Sequence, residues 1–239
     1  MHLVIDLGNT KAKVAIFEGN ELKLRRSWKN LSIERLEKLF IEFSISHSII
    51  SSVVDTNTEL IKYLERHSKQ IQLSGKSELP INIKYKTPMS LGADRIANAV
   101  AGNDAFPDDP VLIIDAGTCI KFDFVDKEMN YWGGAISPGI SMRYRALNTF
   151  TDKLPLIQRS DKKIWLGRTT EESIQCGVEY GVLEEVKGFI NRYNKEYDNL
   201  KVIVTGGDAS FFVSRLKKRI FADPNLLVKG LHIILQHNA

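Results

Sequence analysis

The sequence contains few cysteines and no long apolar run, and both absences limit what the protein can be. Cys119 and Cys176 are too few for a disulfide framework and lack the spacing of metal ligands, which is typical of a reducing compartment. No apolar stretch approaches the ~20 residues of a membrane span, and Asp6 falls too early for the apolar region of a signal peptide. We therefore expect a cytoplasmic protein without a membrane partner.

A strong charge imbalance is absent as well. The 33 Lys and Arg residues against 29 Asp and Glu residues give a formal net charge of +4, and the densest basic run covers only residues 215–219. Since nucleic-acid binding usually shows as a concentrated basic patch, the charge pattern predicts no nucleic-acid partner. With 239 residues, 43% of them hydrophobic, the chain can bury a sizeable core.

What the sequence does contain is an approximate internal repeat. Residues 2–10, His-Leu-Val-Ile-Asp-Leu-Gly-Asn-Thr, are echoed by residues 111–118, Val-Leu-Ile-Ile-Asp-Ala-Gly-Thr. Each copy is a short apolar run that predicts a buried strand, followed by a turn with Asp, Gly and Thr. Residues 13–18 and 121–126 then read as a second strand in each copy. We interpret the repeat as a duplication.

Helical and strand-like patterns alternate along the rest of the chain, which is typical of the α/β class. Helices are predicted at 32–43, 58–67, 91–105 and 170–193, with another beginning near Asp208. Strands are predicted at 48–54, 71–73, 131–136 and 202–205. The segment Phe-Pro-Asp-Asp-Pro at 106–110 cannot continue a helix. We therefore expect an N-terminal lobe at 1–107 and a C-terminal lobe at 108–239.

The two Asp-Gly-Thr turns are suited to hold nucleotide phosphates. Glycine lets backbone N–H groups approach phosphate oxygens, and the Thr hydroxyl adds a donor. The Asp carboxylate cannot contact phosphate favourably, but it can hold a hydrated Mg²⁺ that bridges the phosphates. A single turn of this kind is more often an ordinary capped turn, whereas two copies after buried strands favour phosphate binding. Neither is a Walker loop, because GxxxxGK[ST] does not occur.

Six ordered motifs resemble a known family. They are residues 6–10, Asp-Leu-Gly-Asn-Thr; 91–95, Leu-Gly-Ala-Asp-Arg; 115–118, Asp-Ala-Gly-Thr; 133–139, Gly-Gly-Ala-Ile-Ser-Pro-Gly; 170–177, Thr-Glu-Glu-Ser-Ile-Gln-Cys-Gly; and 205–208, Thr-Gly-Gly-Asp. The duplicated turn resembles the actin-like ATPases and sugar kinases, and the full set is similar to the type III pantothenate kinases. The resemblance implies an α/β fold of two duplicated actin-like (ribonuclease H-like) lobes with a nucleotide cleft between them.

The resemblance also implies an activity, the ATP-dependent phosphorylation of pantothenate to 4′-phosphopantothenate at the entry to coenzyme A biosynthesis. It implies Mg²⁺ with ATP, a monovalent cation (K⁺ or NH₄⁺) and assembly as a homodimer. Asp6 would lie near the Mg²⁺, through water, and Asp115 would hold the monovalent cation. The ATP-binding residues that it implies are Asp6, Leu7, Gly8, Asn9, Thr10, Lys11, Ala12, Lys13 and, from the other lobe, Thr118.

Pantothenate would be bound near the start of the helix predicted at 91–105. The substrate-binding residues that the resemblance implies are Tyr85, Gly92, Ala93, Asp94, Arg95 and Thr170. Asp94 would accept the proton of the reacting hydroxyl, typically a 10²–10⁴-fold effect, and the helix dipole would help to keep it ionised. Arg95 could also keep Asp94 ionised, or could pair with the substrate carboxylate.

Some features leave the interpretation open. Cys119 stands where the family usually has Ala and Lys121 where it often has Thr, so nucleotide contacts after Thr118 are not fixed by the resemblance. The glycines of the 205–208 turn could let adenosine approach the backbone, or could serve a plain strand-to-helix turn. Two other functions stay open as well: a kinase of another small polyol, and an ATP-binding regulatory or filament-forming protein without a transfer activity.

Overall fold

The structure is a computed structural model that describes residues 1–8, 10–52, 58–74, 77–160, 164–216 and 220–239. The chain forms two compact units. The first consists of Met1–Ala105, Met129–Tyr131 and Asn225–Ala239, and the second of Phe106–Glu128 and Trp132–Pro224. The assignment of 1–107 and 108–239 to two functional lobes stays a prediction.

Seven α-helices lie in the described part of the chain. They are α1 (Ile33–Glu42), α2 (Thr58–His67), α3 (Ala93–Ala105), α4 (Ile140–Thr149), α5 (Thr170–Glu196), α6 (Ala209–Val213) and α7 (Leu226–His237). Among the described residues, none of these helices combines the length and the apolar character needed to span a membrane. A short 3₁₀ turn, Pro88–Ser90, precedes α3.

The first unit contains a five-stranded sheet. Its strands are β1 (His2–Leu7), β2 (Ala12–Glu18), β3 (Glu21–Trp28), β4 (His47–Ser52) and β5 (Lys69–Gln72). Their order in the sheet is β3-β2-β1-β4-β5. β2 is antiparallel to both β1 and β3, whereas β4 is parallel to both β1 and β5. The turn that follows β1 therefore leaves the sheet at its centre.

The central strand is buried because its residues are apolar on both faces. Leu3, Val4 and Ile5 of β1 have no exposed surface, as expected for a strand covered on both sides. On one face of the sheet, Leu36 and Leu39 of α1 join the same core, and they lie three residues apart on one side of the helix. This packing fixes the end of β1 in place.

The remaining strands form a second sheet. They are β7 (Val111–Ala116), β8 (Cys119–Val125), β9 (Asn130–Pro138), β10 (Lys201–Thr205) and β11 (Phe221–Ala222), preceded in the chain by β6 (Asn82–Ile83). This sheet lies in the second unit except for β6 and the first two residues of β9. Their order is β11-β10-β7-β8-β9, and β6 pairs in parallel with the first residues of β9. β7 is antiparallel to β8 and parallel to β10, which is parallel to β11.

The strand order confirms the repeat that the sequence predicted. The series β3-β2-β1-β4-β5 in the first sheet corresponds to β9-β8-β7-β10-β11 in the second. In each series the strand that ends in the Asp-Gly turn is central, with an antiparallel hairpin partner on one side and a parallel strand on the other. The predicted α/β class is confirmed, while the cleft between the lobes stays a prediction.

Two helices were missed by the sequence analysis. α4 begins at Ile140, directly after the Pro138–Gly139 turn, and α7 occupies the C-terminal segment for which no element was predicted. The α7 segment is apolar around most of its circumference, so it lacks the polar face that marks an amphipathic helix. α3 begins at Ala93, two residues later than predicted, because Leu91 has an extended backbone.

A cluster of histidines lies where α7 meets the first sheet. His232 is 3% exposed, stacks on Phe17 with ring centroids 4.1 Å apart, and places its Nε2 3.2 Å from Nδ1 of His2. Burial lowers the pKa of His232 to about 4, and the charge of His2 adds to the shift. The pKa of His2 is lowered as well, first by burial and then by His47. Both rings are therefore neutral at pH 7.

We expect stability to fall as the pH is lowered because of this cluster. His232 has an ordinary pKa of 6.5 and a folded-state pKa of about 4, so between these values the unfolded chain binds more protons than the folded chain. For His232 alone the free energy of unfolding drops by about 2 kcal/mol from pH 7 to pH 5.

Urea unfolding at pH 7, 6 and 5 measures this change in the free energy of unfolding. His232→Gln should flatten the dependence, whereas the exposed-site control His67→Gln should not; equal slopes in all three proteins would contradict the assignment.

Candidate active site

The first candidate phosphate turn connects β1 to β2. β1 ends at Leu7, and Gly8 donates its N–H to the carbonyl oxygen of Lys11 at 3.1 Å, which closes the turn. Thr10 and Lys11 are exposed at the tip, whereas Ala12 is buried at the start of β2. Asn9, also predicted to bind ATP, lies outside the described residues. An exposed tip with a hydroxyl and a lysine is accessible to a phosphate.

Asp6 lies at the end of β1 with a side chain that is 5% exposed. Ser51 donates its hydroxyl to Oδ1 at 2.8 Å, and Nζ of Lys13 lies 3.5 Å from Oδ2. Burial raises the pKa of Asp6, and the charge of Asp94 adds to the rise, while Lys13 and Ser51 oppose it. A cation bound beside Asp6 would stabilise the ionised carboxylate in this buried position.

The second turn connects β7 to β8 and is built in the same way. Gly117 donates its N–H to the carbonyl oxygen of Cys119 at 3.0 Å, so this turn is one residue shorter than the first. Thr118 is exposed. Nζ of Lys121 lies 2.8 Å from Oδ2 of Asp115, and both side chains are 17% exposed. The lysine and the carboxylate therefore form a close, largely buried ion pair.

The surroundings of the two acidic residues match across the duplication. Each Asp is flanked by a Lys on its antiparallel neighbour and by a hydroxyl residue on its parallel neighbour. The aligned triplets are Lys13-Asp6-Ser51 and Lys121-Asp115-Thr205. The strand pattern alone located the two Asp and the two Lys. Ser51 was missed because it lies on a strand distant in sequence, and Thr205 was located by the motif at 205–208 without its pairing with Asp115.

Two glycine motifs pack against the second turn. Gly139 donates its N–H to the carbonyl oxygen of Thr118 at 3.0 Å, and a Cβ on Gly139 would lie 2.2 Å from the carbonyl oxygen of Gly117. Gly206 has a φ of +94°, and a Cβ there would lie 2.3 Å from the carbonyl oxygen of Ala116. Neither position accepts a side chain, so both motifs support the backbone of the turn.

Gly139→Ala is therefore expected to displace the second turn. Its Cβ would overlap backbone rather than a flexible side chain, so we expect a loss of about 1–3 kcal/mol in the free energy of unfolding. The affinity for ATP, measured by calorimetric titration, should fall about tenfold or more because the backbone N–H groups of the second turn move.

The matched control is Gly188→Ala. Nothing lies within 4 Å of a Cβ at Gly188, a residue inside α5. The alanine should stabilise the helix by up to about 1 kcal/mol and leave ATP affinity unchanged. If Gly139→Ala binds ATP as tightly as the unmodified protein, the second turn does not contact the nucleotide.

Asp94, the predicted base, lies in the first turn of α3. Its Oδ1 accepts the N–H of Arg95 at 2.9 Å, and its side chain is partly exposed. Its charge is close enough to Asp6 to raise the pKa of that group. Two predicted site residues from distant parts of the sequence therefore lie in the first unit and interact electrostatically.

Arg95 is 5% exposed and packs against aromatic rings. Its Cζ lies 5.5 Å from the ring centroid of Tyr85 and 6.0 Å from that of Tyr131. Such cation–π contacts hold a guanidinium in place. This burial favours a role in positioning Tyr85 and the start of α3 over a freely accessible partner for a substrate carboxylate.

Thr170 lies on an apolar groove of the second unit that the sequence analysis missed. It is the first residue of α5, and the groove between α4 and the start of α5 has a volume of about 1070 Å³. The lining includes Leu147, Phe150, Ile174 and Val178. The groove was not predicted because one of its walls is α4, a helix that the sequence pattern did not reveal.

Comparison with known families identifies the family of this chain. A family model described as type III pantothenate kinase matches residues 2–192. The chain belongs to the type III pantothenate kinase family. Relatives of this family match along the full chain: a type III pantothenate kinase of Phocaeicola vulgatus is 43% identical over 100% of this chain and 99% of its own length. One of Bacteroides fragilis is 40% identical over 100% and 98%, respectively.

Solved structures share the fold of this type III pantothenate kinase family member at lower identity. A Campylobacter jejuni protein described as a candidate Baf family transcriptional activator has a TM-score of 0.63 at 23% identity, covering 99% of this chain and 98% of its own. A Clostridium difficile activator of 2-hydroxyisocaproyl-CoA dehydratase, with bound ADPNP, has a TM-score of 0.55 at 15% identity, covering 99% of this chain and 95% of its own. A glucokinase from an Antarctic psychrotroph has a TM-score of 0.53 at 12% identity, covering 100% of this chain and 99% of its own. These matches confirm the predicted actin-like ATPase and sugar kinase fold.

The predicted site residues of this pantothenate kinase family member are divided between the two units. In the first unit lie the turn after β1, with Asp6, and the start of α3, with Asp94. In the second unit lie Asp115 and Thr118 at the turn after β7, and Thr170 at the groove. The individual roles of these residues stay predictions.

Proposed function

We propose that this chain transfers the γ-phosphoryl group of ATP to pantothenate, giving 4′-phosphopantothenate at the entry to coenzyme A biosynthesis. The observation that carries the proposal is full-length similarity to proteins named type III pantothenate kinase, at 43% and 40% identity. The charge of Asp94 influences the pKa of Asp6, and the two carboxylates support the proposal because a kinase needs separate groups for the metal and for the acceptor hydroxyl.

Asp94 is the proposed general base. Phosphoryl transfer needs the acceptor oxygen in line with the γ-phosphate, and a carboxylate within hydrogen-bond reach can orient the hydroxyl and take its proton. The partial exposure of Asp94 leaves it accessible to a substrate, and its position in the first turn of α3 favours the ionised form. Gly92, Ala93 and Tyr85 would contact pantothenate around it.

Asp6 is the proposed support for Mg²⁺, and its surroundings fit that role. Mg²⁺ prefers carboxylate oxygens and retains several waters, and burial makes an added positive charge beside Asp6 favourable. When bound, the metal would offset the negative charge of the phosphates, and Asp6 would hold it. Ser51 holds the carboxylate in one orientation by its 2.8 Å hydrogen bond.

The two turns are the proposed phosphate contacts. Residues 6–13 would contact ATP from the first unit and Thr118 from the second, where the exposed tips carry Thr10, Lys11 and the Thr118 hydroxyl. Lys13 would divide its charge between Asp6, 3.5 Å away, and the phosphates. Backbone N–H groups in such turns form anion-binding concavities.

The proposed site of the monovalent cation, the Asp115 carboxylate, is already paired with a lysine. Asp115 would be the ligand of the cation, but the Lys121 ammonium already lies 2.8 Å from that carboxylate in a largely buried pair. The residues present therefore do not fit a free K⁺ or NH₄⁺ at Asp115, and no step of the proposed reaction passes through such an ion.

We also propose a homodimer and a cytoplasmic location. Phe150 and Trp165, 84% and 74% exposed, lie in the second unit, and Phe150 lines the groove at Thr170. Large exposed aromatic side chains are typical of surfaces that pair with another protein, which supports a dimer with pantothenate bound nearby. Cys119 and Cys176 are free thiols, in keeping with a reducing compartment.

The test is ADP release from the purified protein with ATP, Mg²⁺ and pantothenate, compared with a panel of small polyols. We expect release only with pantothenate, and a product heavier than pantothenate by one phosphoryl group in mass spectrometry. Release with another alcohol would indicate a different acceptor. Release without any acceptor, or nucleotide-driven light scattering, would indicate a switch or filament protein instead.

A further inference from the structure

We infer that the ammonium group of Lys121 takes the place of the monovalent cation at Asp115, so that this kinase turns over without K⁺ or NH₄⁺. The inference rests on the proposed function. It depends on Lys121, at a position where the family resemblance implies Thr, and on where the fold places that lysine.

The fold places Lys121 directly opposite Asp115. The two residues are register partners in the antiparallel β7–β8 hairpin, where facing side chains lie about 5 Å apart at Cβ. Nζ of Lys121 is 2.8 Å from Oδ2, a charge-assisted hydrogen-bond distance, and each side chain is 17% exposed. The positive charge is therefore fixed at the carboxylate by the chain itself.

A lysine ammonium is chemically similar to the free cation that it would replace. Either K⁺ or NH₄⁺ is expected in the family, and the end of a lysine side chain is an alkylated ammonium ion with the same unit charge and N–H donors. A tethered ammonium needs no binding from solution, so its local concentration does not depend on the salt. Lys121 would supply the charge that the free cation supplies elsewhere.

The same pair disfavours a second cation. A K⁺ on this carboxylate would lie roughly 4 Å from the Lys121 ammonium, and repulsion between two unit charges at that separation, with an effective dielectric near 20, weakens binding by about 10³-fold. The Lys13–Asp6 pair of the first turn differs, because Nζ is 3.5 Å from the carboxylate and Lys13 is 39% exposed. Lys13 can move away, whereas Lys121 is held.

The first experiment uses the unmodified protein. Phosphopantothenate is measured directly by chromatography, so that no K⁺-dependent coupling enzyme is present, in KCl, NH₄Cl, NaCl and tetramethylammonium chloride at equal ionic strength. We expect rates within about twofold of one another. A rate that is tenfold or more higher in KCl or NH₄Cl than in tetramethylammonium chloride overturns the inference.

Lys121→Thr should create a cation requirement. In tetramethylammonium chloride we expect a rate at least about tenfold lower than that of the unmodified protein, recovered by KCl or NH₄Cl. The matched control is Lys201→Thr, which breaks another Lys–Asp pair of the same unit, 3.3 Å from Asp109, and should stay independent of the salt. A Lys121→Thr protein that folds but is not rescued shows that Lys121 does not replace a free cation.

Thermal unfolding gives a readout without turnover. The melting temperature of Lys121→Thr should rise by about 2–4 °C in KCl over tetramethylammonium chloride, because an ion that binds only the folded state stabilises it. The unmodified protein should show no such difference, and a K⁺-specific rise in it counts against the inference. Absence of phosphopantothenate in every salt would instead contradict the proposed function, and the melting data would still test the ion site.

Discussion

Asp94→Asn is expected to lower kcat for pantothenate phosphorylation by about 10²–10⁴-fold, because the amide cannot accept the hydroxyl proton. Asparagine keeps the size of the side chain and an oxygen that can accept the N–H of Arg95, now 2.9 Å from Oδ1. The start of α3 should therefore keep its structure. Steady-state kinetics with pantothenate and ATP measure the effect, and circular dichroism with thermal unfolding verifies the fold.

A second asparagine variant in the same helix separates chemistry from helix stability. Asp104 is exposed near the end of α3, so Asp104→Asn makes the same substitution away from the proposed site. It should leave kcat unchanged. The role assigned to Asp94 is untenable if its variant keeps full kcat, or if both variants lose activity in proportion to a loss of folded protein.

The duplicated hairpins could be predicted from sequence because their signals are local. A buried apolar strand, a glycine turn and an alternating strand each occupy fewer than ten consecutive residues, so their patterns can be recognised without knowledge of the fold. The register then places Lys13 opposite Asp6 and Lys121 opposite Asp115, as the alignment of the two copies indicated.

Long-range partners could not be predicted in the same way. Ser51 reaches Asp6 from a strand 45 positions away, and nothing in the sequence around it marks a hydrogen-bond donor for a buried carboxylate. The groove at Thr170 also escaped prediction, because it depends on α4 packing near α5. Such features arise only when parallel strands and crossing helices are assembled.

The environment of a residue was harder to predict than its position. The motif at 91–95 located Arg95, but its burial against Tyr85 and Tyr131 comes from segments outside that motif. Lys121 departs from the residue that the family resemblance implies, and its Nζ forms an ion pair with Oδ2 of Asp115 at 2.8 Å. The effect of a substitution inside a known motif therefore depends on the contacts that the fold gives to the new side chain.

Asp6→Asn is expected to remove activity while leaving the protein as stable as before or more stable. Burial raises the folded-state pKa of Asp6 above its ordinary value of 3.8, so ionisation at neutral pH costs stability. The cost develops as the pH rises from the ordinary value through the folded-state pKa, and it persists above that. Asparagine carries no charge and can still accept the Ser51 hydroxyl bond, so we expect the melting temperature at pH 7 to stay the same or rise.

The same substitution deprives the proposed Mg²⁺ site of its carboxylate, so kcat should fall by about 10²-fold or more. Mg²⁺ titrations of the rate and thermal unfolding at pH 7 and pH 4 measure both effects, and the stability gain should shrink towards pH 4. Asp109→Asn is the control, since Asp109 also pairs with a lysine but is 26% exposed and lies outside the proposed site. A strong loss of stability at pH 7 in Asp6→Asn would show that the carboxylate supports the fold through its pairing with Lys13, since burial alone cannot make its charge favourable.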